Sequence, residues 1–437
     1  MMRDAKFQGA IGVLAPIELA EFREYLSRGA LDAFPHKILG ATPVNLLCKE
    51  LLRRGRRLAI FSLHPAVTAE HVFEGDSLRI YLGPCKASSV MNGFRRERRF
   101  IIDRIAREEL GCLHAHWTYE YALAAIDTGL PHVVTAHDAP INCFRQNLIF
   151  SPDRRYVQQS YYRITRNNIF WIARTLLAYR VIRKAQRLVA VSPYVADHLH
   201  QYRFTTKQVE VIPNGIPSEY SDQRIGRKRD SDAITFATLL SSWSKLKNGA
   251  PAIQAFAEVR RTLPNATMIM FGPGYAADGP AARWAGQQGI DQGIEFRGHL
   301  PNRDIIRALS ERVDVLVHPS LEEAHPMPLI EAMSMGIPVI GGRQSGGVPW
   351  TLGDGGLLVD VCSPKAIAGA MLQLASDGIA RVHLERIARM SVMRRFHLGE
   401  VTDRYEAIYS SLASETHRSM YESVNAPDAS PPGKAAE

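Results

Sequence analysis

Cysteine is scarce in this chain. Five of 437 residues are Cys (Cys48, Cys85, Cys112, Cys143 and Cys362), an odd number with no metal-ligand spacing among them. That argues against a disulfide framework and a cysteine-built metal site, and points to reduced thiols in a cytosolic compartment. No run is long and apolar enough to span a bilayer, and the N-terminus lacks the pattern of a signal peptide, so the expectation is a cytoplasmic protein. No G-x-G-x-x-G follows the first β-rich run, which argues against an ordinary dinucleotide-dependent dehydrogenase. There is no internal repeat and no recognisable nucleic-acid-binding module, although the net charge is +9.

What is present is a globular composition, 46% hydrophobic and 22% charged, in a chain too long for one ordinary core. The basic balance, with a pI near 9.3, favours an anionic partner. Short β-rich runs alternate with helical stretches from end to end, the pattern of parallel α/β layers. The first half carries GAIGVLAP, RRLAIFS, LRIYLG, GCLHAHW, HVVTAHD, RLVAVS and VEVIPN, and the second restarts at AITFATLL and continues to GLLVD. The polar stretch 217–232 separates them. The expected organisation is therefore a domain over 1–216, a linker over 217–232, a second domain over 233–378, a long helical stretch over 379–414, and a disordered polar tail over 415–437.

The most informative string is HPSLEEAHPMPLIEAMSMGIPVIGGRQSGG, in which Glu323 and Glu331 stand eight residues apart. It reads as strand, loop, helix, strand and glycine turn. A helix beginning at the carboxyl edge of a parallel sheet offers backbone N–H groups and a positive dipole end to an anion, here from Met327, Pro328, Leu329 and Ile330. Carboxylates suit sugar hydroxyls better than phosphate, so the string fits a nucleotide-sugar. Two solvated acids at a helix start are the plain alternative.

The arrangement resembles the E-x7-E signature of the GT-B glycosyltransferases of family 4. EAMSMGIPVI matches the family's EAMA-x-G-x-PVI closely, Gly346 and Gly347 match its next turn, and VIPNGIP matches the end of its N-terminal domain. The resemblance implies two Rossmann-like α/β domains facing a central cleft, with 379–414 crossing back to the first domain. It places Glu331 on the ribose, Glu323 on the transferred sugar, and Lys247, in KLKNGAPAIQAF, on the leaving diphosphate. The family's arginine five residues earlier is Ser242 here, with Lys245 as the nearby substitute or a solvated surface charge. Gly272 and Gly274 of FGPG match a glycine pair near the nucleotide. His299 and Leu300 match a loop whose backbone meets the base, a structural loop being the alternative. Trp350 replaces a frequent glutamate, altering the sugar pocket or packing the turn.

On the other side of the cleft, His114 and His116 recur at period two, hence on one strand face, and His137 and Asp138 close the next strand. The resemblance assigns His116 to the donor sugar near its anomeric carbon and His137 to orienting acceptor or donor; His114 reads as structural. It also implies a retaining transferase moving a hexose from a UDP- or GDP-linked donor to a polysaccharide or lipid-linked glycan, in bacterial exopolysaccharide or cell-surface glycan synthesis. No metal or cofactor is implied. A nucleotide-sugar-binding scaffold without transfer activity is the alternative that Ser242 and Trp350 keep open. Residues 154–187 are rich in Arg and aromatics and contain no acid. They read either as a core helix with a solvated basic face or as a surface lying on anionic lipid.

Overall fold

The computed structural model describes residues 9–32, 34–38, 40–148, 161–222 and 233–424, apart from the side chains of 161–163 and 416–424. Two sheets organise it. The first contains β1 (Ala10–Leu14), β2 (Leu58–His64), β3 (His71–Glu74), β4 (Leu78–Pro84), β5 (Leu110–His116), β6 (His132–Ala136), β7 (Arg187–Ala190) and β8 (Glu210–Val211), in the order β3-β4-β2-β1-β5-β6-β7-β8. The second contains β9 (Thr235–Leu239), β10 (Thr267–Phe271), β11 (Ile294–Gly298), β12 (Val315–His318), β13 (Val339–Gly342) and β14 (Gly356–Val359), in the order β11-β10-β9-β12-β13-β14. Every pairing is parallel except β3 with β4. This is the two-domain GT-B architecture.

Both sheets are buried on both faces, which is why their strands are written as continuous apolar runs. Along β2, Leu58 and Ile60 join one core cluster while Ala59, Phe61 and Leu63 join the other. In the second sheet Phe236, Met268 and Val315 face one cluster, and Ala237, Ile269 and Leu316 the opposite one. The period-two alternation thus builds two layers of helix on each sheet. The edge strand β3 is not foreseen by the pattern of apolar runs. It is four residues long, and of these only Phe73 is buried, so it leaves little hydrophobic signal.

The C-terminal stretch is two helices, Gly378–Arg395 and Leu398–Val424. The first stays with the second sheet, placing Ala388 and Val392 against the helix Met327–Ser334. The crossing falls at Phe396–Leu398, where Ile216 N–H donates to Phe396 O (2.8 Å) and Leu398 N–H donates to Ile216 O (2.9 Å). The second helix then packs on the helix Thr42–Arg53 and on β5, and it continues to Val424, past the position where the sequence suggests a disordered tail. Residues 223–232 of the linker and 425–437 of the tail lie outside the described residues.

This docking is polar as well as apolar. The Arg54 guanidinium donates to Asp403 (2.6 Å) and Glu406 (2.7 Å), while Tyr405 and Tyr409 enter the core beside β1 and β2. His114 is fully buried between them: its Nδ1 is bonded to Tyr409 OH (2.7 Å) and its Nε2 to Thr135 Oγ1 (2.8 Å). Tyr409→Phe leaves a buried ring nitrogen without its partner. It is expected to lower unfolding free energy by about 1–3 kcal/mol in a denaturant titration. An unchanged midpoint and slope would show that the helix does not depend on this contact.

Candidate functional site

The carboxyl ends of the two sheets meet around a cavity of about 310 Å³. Trp117, His137 and Asn214 come to it from the first sheet. Leu239, Leu240, Ser241, Lys247, His318 and Glu323–Pro328 come from the second. A crevice at strand carboxyl ends is where open parallel sheets bind ligands.

On the first wall, β5 and β6 pair with His116 opposite Thr135, so His137, two residues on, returns to the same face. His116 Nδ1 and His137 Nε2 are 2.9 Å apart and share one proton. Burial pushes His137 down to about 3. Burial first, then His114 and His137, hold His116 well below its usual value. Both imidazoles are therefore neutral at physiological pH. Trp117, between them in sequence, takes a left-handed φ of 64°, an uncommon state for so bulky a residue, and stacks on His137 with ring centroids 4.4 Å apart. Asp138 does not line the cavity; Tyr119 OH donates to it at 2.7 Å, and Arg174 lies 3.5 Å over the Tyr119 ring.

On the second wall, Lys247 Nζ donates to Glu323 Oε1 (2.6 Å), and His318, the last residue of β12, bonds the same oxygen at 3.2 Å. Burial alone would raise the Glu323 carboxyl, but the Lys247 ammonium and His318 outweigh it and hold the acid below the carboxylate range. Lys247 lies two residues before the helix Gly249–Thr262. Its direction is set by Asn248, left-handed at φ 53° and pinned by donation to Pro319 O (3.0 Å) and Val361 O (2.9 Å). Gly347 N–H donates to Glu323 O at 2.7 Å, and a Cβ on Gly347 would lie 1.9 Å from Ala324 O, so the glycine turn admits the Glu323 loop.

The expected anion site narrows. Pro328 has no N–H, and the Leu329 N–H is engaged by Pro326 O at 3.2 Å. The side chains of Leu329 and Ile330 are buried in the core. Met327 is thus the first-turn residue that both carries an N–H and lines the cavity. Gly272 and Gly274 serve the protein itself. The Gly272 N–H donates to Gly298 O (2.7 Å), and Cβ atoms on the two glycines would meet Leu240 O at 1.7 Å and Trp243 Cβ at 2.8 Å. The close approach they permit is that of the 240–243 loop.

Glu331 does not share the cavity wall with Glu323. It is buried, accepts from Asn302 Nδ2 (3.0 Å), and Asn302 in turn accepts from Tyr220 OH (2.7 Å). Burial pushes Glu331 up to about 7, against the smaller opposing effect of the Asn302 hydrogen bond. His299 and Leu300 are half-buried near this side, with Lys37 approaching His299. Lys245 is exposed and outside the cavity wall, and Ser242 bonds Ser244 (2.9 Å). Trp350 packs the turn: its ring meets His325 and Phe396 at 5.3 Å each, and Arg395 lies over it. Among the described residues, no group of three His, Cys, Asp or Glu is placed to hold a metal ion.

Sequence reasoning missed Glu322, Asn302, Tyr220 and His325. Glu322 bridges the two domains by accepting from Tyr194 OH at 2.6 Å, and burial, with Glu323 and Asp138 nearby, raises it to about 7. Its adjacency to Glu323 was the available signal. Asn302 and Tyr220 carry no local pattern.

A family profile described as "Glycosyltransferase Family 4" matches residues 41–220, and one described as "Glycosyl transferases group 1" matches 233–377. The chain belongs to the family 4-like GT-B glycosyltransferases. This glycosyltransferase is 26% identical to the N-acetyl-alpha-D-glucosaminyl L-malate synthase of Bacillus anthracis over 69% of this chain and 75% of the relative. The D-inositol 3-phosphate glycosyltransferase of Corynebacterium jeikeium is 25% identical over 56% of this chain, a match spanning 62% of that relative's length. In fold it is similar to sucrose-phosphate synthase of Thermosynechococcus elongatus (TM-score 0.69, 16% identity, 95% of this chain and 100% of that one). It is also similar in fold to Anabaena HepE in complex with UDP and glucose (TM-score 0.61, 15% identity, 92% and 100%).

The raised Glu331 carboxyl makes a stability prediction with a definite sign. The unfolded chain ionises this group near 4.5 and the folded chain near 7, so the unfolded state binds fewer protons between those values and stability falls as pH rises through them. Glu331→Gln removes the fall. The variant should be more stable than the parent at pH 8, by about 3 kcal/mol, and equal to it at pH 4. Equal stability at both pH values would mean that Glu331 is ionised at no cost in the fold.

Proposed function

We propose that this glycosyltransferase moves a hexose from a nucleotide-sugar to a polysaccharide or lipid-linked glycan acceptor with retention at the anomeric carbon. The observation that carries this is the convergence, around one cavity, of Lys247–Glu323–His318 from the second sheet and His137, with its partner His116, from the first. Lys247 directs one of its three N–H groups at Glu323 and has two left for a diphosphate oxygen, so the leaving group meets a cation already fixed in place. The neutral histidines hold sugar hydroxyls without adding charge where positive charge grows at the anomeric carbon. Glu331, with Asn302 behind it, takes the ribose. UDP and glucose bound to the structurally similar HepE support a nucleotide-sugar as the donor.

Calorimetry against UDP, GDP, ADP and their sugar conjugates tests the donor. One nucleotide class should bind, and Lys247→Ala should weaken its diphosphate by about tenfold, consistent with loss of a charge-assisted hydrogen bond. No binding by any nucleotide-sugar would remove the donor assignment, whereas binding without acceptor-dependent product would favour the scaffold reading.

A lipid-borne acceptor is supported by the helix Tyr161–Lys184. Its residues Ile169, Ile172, Leu176 and Tyr179 are exposed at spacings of three and four, hence on one face, with Arg180, Arg183 and Lys184 also exposed. The basic stretch is not uniformly solvated, because Arg174 is drawn inward over Tyr119. Residues 154–160 lie outside the described residues. No helix of the described residues is long and apolar enough to cross a membrane. Sedimentation with phosphatidylglycerol vesicles should succeed at low salt, fall as salt rises, and fall further in Leu176→Asp. Absence of binding at low salt would leave the core-helix reading.

A further inference from the structure

One contact between the domains, away from the chain crossings, is made by Tyr194. It stands in the first turn of the helix Pro193–Gln201, which Ser192 caps by accepting from the Val195 N–H at 3.4 Å. Its ring packs against the core of the first sheet, and its hydroxyl donates across the domain boundary to Glu322 Oε1 at 2.6 Å. The donor role is fixed, because Asn142 Nδ2 donates to the same hydroxyl and leaves its proton for Glu322. The second domain is shaped to receive the ring. A Cβ on Gly346 would lie 2.9 Å from Tyr194 Cε1 and 3.0 Å from Glu322 Oε1, so this left-handed glycine (φ 60°) leaves the notch that the tyrosine fills. Ala324, two residues after Glu322, also packs on the core of the first sheet.

The strength of this contact depends on whether Glu322 carries a proton. Burial raises its carboxyl to about 7, the Tyr194 hydrogen bond and the Lys247 ammonium pull it down, and Glu323 and Asp138 oppose its ionisation. These groups face it from every side: Glu323 on its own loop, Lys247 from the loop before the helix Gly249–Thr262, Tyr194 from its helix, and Asp138 from the chain beyond β6. Cys143, on the helix Pro140–Asn147, is also near, and burial keeps its thiol neutral. Swinging the domains apart draws Tyr194 away and admits water to Glu322, which returns the carboxyl toward its ordinary 4.5. The closed contact therefore holds the proton more tightly than the open one. Its full strength is present below about 4.5 and is lost as pH rises to about 7.

We infer that Tyr194 and Glu322 form a latch between the two domains, which holds the cleft at its present width until their hydrogen bond is released. The latch does not depend on what the cleft binds, so it stands apart from the proposed transfer. It is also separate from the charge pair in the cleft. Lys247 and Glu323 keep their charges while Glu322, one residue away, gains or loses its own, so pH acts on the width of the cleft and leaves its fixed charges in place.

Small-angle X-ray scattering of the full chain, without nucleotide, at pH 5 and pH 8 tests the latch. The ratio of closed to open molecules should fall about a hundredfold between those values. The parent is expected to be compact at pH 5 and larger at pH 8, by a few per cent of a radius of gyration of roughly 22 Å. Tyr194→Phe keeps the ring for the notch but loses the donor, and should be as large at pH 5 as the parent is at pH 8. Glu322→Gln keeps an acceptor for Tyr194 that has no charge at any pH, and should stay compact at both. Glu331→Gln removes the other acid that titrates in this range and should keep the response of the parent. Thermal melts show which variants are folded; should Tyr194→Phe not fold, the comparison of Glu322→Gln with the parent decides. A parent of equal size at both pH values would overturn the latch, as would Tyr194→Phe that matches the parent at pH 5, or Glu322→Gln that expands as the parent does.

Discussion

The ion pair between Lys247 and Glu323 is the constraint around which the cleft is assembled. Two charges are withdrawn from water, which is tolerable only if each is held by the other and by further hydrogen bonds. The second bond to Glu323 comes from His318. The geometry is enforced from both flanks: Asn248 ties the lysine loop to the chain just beyond β12 and β14, and Gly347 receives the glutamate loop in a space that a side chain would fill. The loop bearing the acid is also tied to the lysine loop by the Leu321 N–H donated to Leu246 O at 2.9 Å. Three separate strand-to-helix connections of the second sheet therefore converge on one charge pair.

The first sheet contributes neutrality instead. His114 and His116 are buried, His137 is half-buried, and all three are held below their ordinary value, so three adjacent imidazoles add no charge to the cleft. They are ordered by hydrogen bonds and by ring contacts, with His114 and His116 stacked at 4.0 Å. One wall thus carries the fixed charge and the other supplies polar groups whose protonation does not change near neutral pH. The acids that do titrate near neutrality, Glu322 and Glu331, stand outside that charge pair, one at the domain contact and the other hydrogen-bonded to Asn302.

Much of this was legible in the residues. The strands of both sheets appear as short apolar runs because parallel sheets are covered on both faces. His116, His137, Lys247 and Glu323 each stand out at strand ends and helix starts, and they do come together. The departures have physical causes. Gly272 and Gly274 look like a phosphate turn, but a sequence does not say what approaches a glycine, and here it is the 240–243 loop. Glu331 looks like the equal of Glu323, yet lies on a helical face that turns it toward Asn302. Asn302 and Tyr220 come from residues 29 and more positions away, and such pairings leave no trace in local periodicity.

The two chain crossings between the domains have a mechanical consequence. Residues 214–216 going out and 396–398 coming back are bonded to one another, with Ile216 and His397 in a parallel bridge. Two independent straps would let the halves slide as well as swing. Straps fastened side by side leave little but rotation about one line, like a door hung on a single pin. Any change in the width of the cleft is then a change of one angle, shared by everything that lines it.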